Sequence, residues 1–198
     1  MAAVIFLNGT SSSGKTTLAE MYQRLAPEPV LYASVDSFIF MLSDEVLADD
    51  ELRPQLLPPV VRAFHRALPL LASCGPSVIV DHVLEQRSWL EECLLSLREH
   101  TVYFVGLHCP IEQLEARERQ RQDRQLGLAR KQAAIVHRHC CYDLEIDTAL
   151  TCPEDAAHQL LGLLRCGLPP TAFEQMRRRL VGRGSLRRSP QRSERVQP

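Results

Sequence analysis

The sequence predicts an α/β fold, a five-stranded parallel sheet flanked by helices. Three observations predict it. Short apolar runs alternate with longer helix-patterned stretches, as in strands joined by right-handed helical crossovers. The first, third and fourth runs are nearly continuous in apolar residues, the pattern of strands covered on both faces. A glycine-rich loop follows the first run directly and opens a helix.

The five expected strands fall at residues 4–7, 30–35, 77–81, 102–107 and 143–147. The first belongs to an apolar run starting at Ala2, too short for a membrane span and without the basic flank of a signal peptide. Helices are expected at 15–25, 58–73, 88–100, 110–121, 128–141 and 153–166, with a short last one at 169–181. Strict alternation lapses over 37–59, where Asp44, Glu45, Asp49, Asp50 and Glu51 precede Pro54, Pro58 and Pro59. An insertion between the second and third strands is a natural cap over an acceptor, so residues 37–76 are assigned to that role. Residues 183–198 carry five arginines against one glutamate and are expected to be a disordered basic tail beyond a single domain of residues 1–182.

The bulk composition narrows the function. At 198 residues the chain suits one domain with a sizeable core, and 45% hydrophobic against 24% charged residues is ordinary for a globular protein. A formal net charge of −1 supplies no global field toward nucleic acid or an anionic membrane, so neither is expected as a partner. Seven cysteines, an odd number with no C-x-x-C pair, suggest neither a disulfide framework nor a zinc ribbon; reduced thiols in the cytoplasm fit. Oligomeric state is not set by these features, and a homo-oligomer is compatible with them.

The loop carries the chemistry. Gly9, Thr10, Ser11, Ser12, Ser13, Gly14, Lys15 and Thr16 match G-x-x-x-x-G-K-[ST] in full, with Thr17 continuing into the helix. Glycines allow backbone N–H groups to converge on phosphate oxygens, and the helix N-terminus adds its positive dipole end. Lys15 is expected on the β- and γ-phosphates of ATP and the Thr16 hydroxyl on Mg²⁺. The reading is an ATP-dependent phosphoryl-transfer enzyme of the P-loop type.

Asp36 and Asp81 are expected to close the second and third strands, which puts both at the carboxyl edge of the sheet where ligands bind. Asp36, beside the cap, suits a general base that accepts the proton of an attacking hydroxyl. Asp81 follows Val78, Ile79 and Val80, the apolar run plus aspartate of a Mg²⁺ partner. Arg117, Arg121 and Arg124 fall at i, i+4 and i+7 on one helix face, followed by Gly127. That stripe reads as an arginine lid over residues 110–132, with Arg121 and Arg124 acting on the transferred phosphoryl group. His137, His139, Cys140 and Cys141 do not share one helix face, so buried thiols and a surface imidazole describe them better than a metal site. His82 is either near substrate or an ordinary strand-end histidine.

These residues together resemble the chloramphenicol phosphotransferase family of small P-loop kinases. The resemblance runs from about residue 4 to residue 165. It rests on Ile5 to Lys15, on Val35-Asp36-Ser37, and on a lid-like set formed by Arg117, Glu118, Arg121, Asp123, Arg124, Gly127, Ala129, Lys131 and Gln132. Val136, His137, Tyr142, Asp143, Glu145, Asp147 and Thr148 extend it through the lid's exit and the last strand. It implies a P-loop kinase with a parallel, nucleotide-kinase-like sheet, ATP with Mg²⁺, Asp36 as base, and Arg121 and Arg124 gripping nucleotide phosphates. Two features depart from the family: His82 stands where a second aspartate is common, and residues 38–76 match poorly. The expected activity is therefore γ-phosphoryl transfer from ATP to a hydroxyl of an antibiotic or related alcohol. The alternatives are a sugar-acid, shikimate-like or nucleotide-sugar kinase, or a nucleotide-dependent switch without small-molecule transfer.

Overall fold

The computed structural model describes residues 2–120 and 127–185. In chain order the elements are β1 (Val4–Gly9), α1 (Lys15–Leu25), β2 (Val30–Ser34), α2 (Val35–Ile39), α3 (Asp44–Ala48), α4 (Leu52–Ala72) and β3 (Ser77–His82). They continue with α5 (Arg87–Ser96), β4 (Val102–His108), α6 (Ile111–Gln120), α7 (Leu128–Ala133), β5 (Leu144–Asp147), α8 (Pro153–Arg165) and α9 (Ala172–Ser185). All the strands pair in parallel in the order β2-β3-β1-β4-β5.

The period of two along β1 builds both core layers. Val4 and Phe6 join α4, α5 and α9 through Phe64, Leu68, Leu94 and Phe173 on one face. Ile5 and Leu7 join α1 and α8 through Leu18, Tyr22, Ala157 and Leu160 on the other. Leu7 lies opposite both Asp81 and Val105, so the strands end level and their following loops open on one edge.

Several boundaries differ from expectation for physical reasons. β2 stops at Ser34, whose hydroxyl accepts from Asp36 N at 3.2 Å and caps α2. Asp36 therefore sits in the first turn of a short helix, not at a strand end. α4 begins at Leu52, ahead of the expected residue 58, and contains Pro58, Pro59 and Pro69. Asp49 Oδ1 starts it by accepting from Glu51 N and Leu52 N, both at 2.8 Å, and Pro54 lies in the first turn, where a missing N–H costs nothing. Val61, Phe64 and Leu68 of α4 are buried, so the second half of the expected cap is also the crossover helix between β2 and β3.

The helix expected over 128–141 ends at Ala133. Beyond it the chain turns, because the Val136 carbonyl accepts from Asn8 Nδ2 at 3.1 Å instead of continuing a helical ladder. α5 ends at Ser96, short of the expected residue 100, and β5 starts one residue late because the Asp143 carboxylate caps two backbone runs. α9 runs to Ser185, three residues into the expected tail; the rest of that tail, 186–198, lies outside the described residues.

Candidate active site

The loop between β1 and α1 takes its shape from two glycines. A side-chain carbon on Gly9 would lie 2.7 Å from the Leu107 carbonyl oxygen, so only glycine lets β1 leave the sheet here. Gly14 has φ +92°, the left-handed conformation that turns the loop into α1. No side chain caps the α1 N-terminus. Among the described residues the buried Ser11, Ser12 and Ser13 hydroxyl oxygens have no hydrogen-bond partner. Unsatisfied hydroxyls beside an uncapped helix N-terminus suit a phosphate chain.

Lys15 is nearly buried; its Nζ donates to the Thr10 carbonyl at 2.8 Å and lies 3.8 Å from Asp81 Oδ1. Asp81 Oδ2 accepts from the Thr16 hydroxyl at 2.8 Å and from the Tyr32 hydroxyl at 3.1 Å. Burial first, and the Asp81 carboxylate second, push the Tyr32 phenol up to about 12, which keeps it a donor. Tyr32 was not foreseen. Thr16 and Asp81 together offer oxygen ligands of the kind a hard divalent cation takes, so the residues present fit Mg²⁺.

A cleft of about 380 Å³ lies over this loop. Strand order arranges its walls. Val35 and Asp36, after β2, form one end; Asp81 and Val83 come next; the loop residues Ser11 to Thr17 form the floor; and Thr148 and Thr151, after β5, close the far end with Arg117 and Pro153. Gly14, Lys15, Thr16, Thr17, Asp36, Asp81 and Arg117 are thus brought to one cavity. Gly9, Thr10 and Ser13 support the loop from beneath. Arg121 and Arg124 lie outside the described residues.

Arg117 bridges three segments. Its Nη2 donates to the Thr148 carbonyl at 2.8 Å, and its Nη1 to Thr148 Oγ1 at 3.1 Å and to the Ser12 carbonyl at 3.4 Å. The neighbouring Glu118 has the contrary fate. It is buried, and its two oxygens accept from Gly127 N at 2.7 Å and Ala129 N at 3.1 Å, tying α6 to the start of α7. Gln132 on α7 accepts from Ser11 N at 2.6 Å and donates to Glu85 Oε1 at 2.7 Å. A continuous path thus runs from α6 through α7 to the back of the phosphate loop. Charge pattern alone reads Glu118 as a surface partner of arginine, and no spacing rule marks Gln132.

The histidines separate cleanly. His82 does not line the cleft; it is buried against Phe6 in the core, with Nε2 2.8 Å from His65 Nε2. His137 Nδ1 accepts from the Tyr142 hydroxyl at 2.6 Å, and its ring stacks on His108. Burial first, then His108 and Lys15, push His137 down to about 4, so it is neutral near pH 7. Tyr142 in turn accepts from Asn8 Nδ2 at 2.8 Å, anchoring the segment after α7 to the end of β1.

A parallel α/β sheet with this loop, a buried lysine and an aspartate at the edge of the third strand define a P-loop kinase. The chain matches the family described as chloramphenicol phosphotransferase-like protein over residues 2–165. A Mycobacterium tuberculosis relative, provisionally named an O-phosphotransferase, is 31% identical over 200 residues, covering 90% of this chain and 89% of its own. The chain belongs to the chloramphenicol phosphotransferase-like family, and its class of chemistry is small-molecule O-phosphotransfer.

Solved structures agree on the fold. A sugar kinase from Janibacter sp. HTCC2649 is similar with TM-score 0.63 and 24% identity, covering 83% of this chain and 95% of that one. The Mycobacterium tuberculosis APS kinase, solved with AMPPNP and APS, gives TM-score 0.63 and 18% identity over 83% and 98%. No helix among the described residues is long and apolar enough to cross a membrane.

Proposed function

We propose that this protein moves the γ-phosphoryl group of ATP to a hydroxyl of a small molecule, with Asp36 as the general base. One observation carries the reading: Asp36 shares a single cleft with Lys15, Thr16 and Asp81, so a base at one end faces a phosphate cradle at its centre. The far end, with Arg117, Gln120, Thr148 and Pro153, suits a nucleobase, and the strand order then leaves the acceptor to the Asp36 end.

In this reading Lys15, the α1 N-terminus and the loop N–H groups hold the β- and γ-phosphates. Thr16 and Asp81 would hold Mg²⁺, which neutralises phosphate charge when bound. Asp36 accepts the hydroxyl proton of the acceptor as its oxygen attacks phosphorus in line. Residues 110–132 form the lid and exclude water, with Arg121 and Arg124 adding positive charge. Residues 37–76 shape the acceptor side, where Phe40 and Met41 are 60% and 72% exposed, which supports an acceptor with an apolar part. A single catalytic domain over 1–182, a basic tail beyond it and a cytoplasmic setting complete the proposal, the last supported by the free cysteine thiols.

The test is a product assay: purified protein, Mg-ATP and a panel of hydroxyl compounds including chloramphenicol, read by mass spectrometry for a phosphate adduct. Asp36→Asn should keep nucleotide binding and lose transfer by roughly 10²-fold or more. Full transfer by that variant would remove Asp36 from the role.

A further inference from the structure

The core layer formed by α4, α5 and α9 contains a polar cluster that the phosphoryl chemistry does not use. His65 of α4, His82 of β3 and Cys93 of α5 are 1%, 0% and 0% exposed. One nitrogen from each ring and the thiol sulfur lie within 4.8 Å of one another. Phe6, Phe64 and Trp89 wall the His82 ring, with ring centroids 5.6–6.0 Å away. Burying two imidazoles in such surroundings is costly unless their polar atoms are used. One contact, 2.8 Å between the two Nε2 atoms, joins the rings, and the Val83 backbone lies beside the His82 ring.

We propose that His65, His82 and Cys93 form a binding site for a thiophilic divalent ion of the Zn²⁺ type. The donor set is two imidazole nitrogens and a sulfur, suited to Zn²⁺ and foreign to Mg²⁺, which takes oxygen. The orienting partner expected of a zinc-bound histidine is already built. His65 Nδ1 sits 2.7 Å from Glu92 Oε2, which fixes the Nδ1–H tautomer and leaves Nε2 free to coordinate. Charge also offsets: the Cys93 thiolate neutralises half of a divalent ion's charge within the layer, and the Glu92 carboxylate, 36% exposed at its rim, faces the remainder.

The two rings need to move little. Zinc–nitrogen bonds of about 2.0–2.1 Å at a tetrahedral angle set two ligand nitrogens roughly 3.4 Å apart. The rings thus part by about 0.6 Å from their 2.8 Å contact. His82 moves its proton from Nε2 to Nδ1 and ligates through the freed lone pair. Cys93 gives up its thiol proton to bulk water through the incoming hydrated ion, whose charge offsets the burial that otherwise pushes the thiol pKa up. The ion would staple α4 and α5 to the end of β3, one residue past Asp81.

The experiment uses the full chain, reduced, stripped with chelator and refolded from denaturant with Co²⁺ as probe. The expected result is one Co²⁺ per chain with a thiolate-to-cobalt charge-transfer band, displaced by Zn²⁺, and a higher Tm after refolding with Zn²⁺. Cys93→Ser should abolish the band. A variant with the exposed thiols Cys74, Cys152 and Cys166 changed to serine should keep it. Absence of stoichiometric Co²⁺ in the wild type would overturn the proposal even if Cys93→Ser does not fold. A band that survives Cys93→Ser and His65→Gln, or disappears with the exposed thiols, overturns it equally. None of these readouts depends on phosphoryl transfer, so the site stands or falls apart from Asp36.

Discussion

Glu118→Gln isolates what holds α6 to the start of α7. Both oxygens of this 1% exposed carboxylate accept backbone hydrogens, from Gly127 at 2.7 Å and Ala129 at 3.1 Å. The glutamine has the same shape but turns an NH₂ toward one of those N–H groups, so one bond is lost and replaced by a donor–donor clash. A hydrogen bond to a charged group contributes about 1.5–3 kcal/mol, and a loss near ~2 kcal/mol lowers the relative population of the ordered α6–α7 junction by roughly 30-fold. Since α7 carries Gln132 to Ser11 N, the loss reaches the phosphate loop. We expect kcat/KM for the nucleotide to fall by up to roughly 30-fold, and the Gly127 and Ala129 amides to exchange hydrogen faster. Tm should change little, because the junction opens without the two core layers. Glu115→Gln, which breaks the exposed Glu115–Arg130 pair, is the control and should leave all three readouts near wild type. Unchanged exchange at Gly127 and Ala129 in Glu118→Gln would refute the reasoning.

Gly9→Ala places a methyl 2.7 Å from the Leu107 carbonyl oxygen and from Ser13 Oγ; overpacking of about 1–3 kcal/mol should lower Tm by several degrees, checked by calorimetry. Asp81→Asn removes the carboxylate 3.8 Å from Lys15 Nζ, a buried charge contact whose loss costs roughly 3 kcal/mol, and should raise the Mg²⁺ concentration needed for half-maximal activity. A Mg²⁺ titration matching wild type would exclude Asp81 from the metal site. His137 binds its proton in the unfolded chain near the ordinary 6.5 but in the folded chain only at about 4. Its contribution to stability is therefore complete above pH 6.5 and is lost as pH falls toward 4, and His137→Gln should flatten the Tm–pH curve in that window.

The order of elements was legible because β1 and β3 are covered on both faces and their sequences are apolar almost throughout. The phosphate loop was legible because two glycines and a lysine meet steric and charge demands that few other residues meet. What stayed hidden was set by tertiary partners. Asn8, taking the Val136 carbonyl, ends a stretch whose local pattern is helical. Pro58 and Pro59 set the expected helix start at residue 58, yet the Asp49 cap starts α4 at Leu52 and the helix runs through both prolines. Glu118 and Arg117 are neighbours in one charge run, and only packing sends the first inward and the second to Thr148. His65 carried no signal in the sequence, because its partner His82 lies 17 residues away across two elements.

The cleft's layout has a consequence for how this protein can change. Asp36 follows β2 at one margin of the sheet and Thr148 follows β5 at the other, with three strands between them. Four strand spacings of about 4.8 Å put the two margins roughly 19 Å apart, a separation at which substitutions generally combine additively. On the proposed placement of the acceptor beside Asp36, acceptor preference is an independently adjustable trait: a library confined to α2 and α3 can explore new alcohols while the opposite margin keeps its geometry. Within one small domain, drift in what is modified and constancy in how it is modified are assigned to different strands.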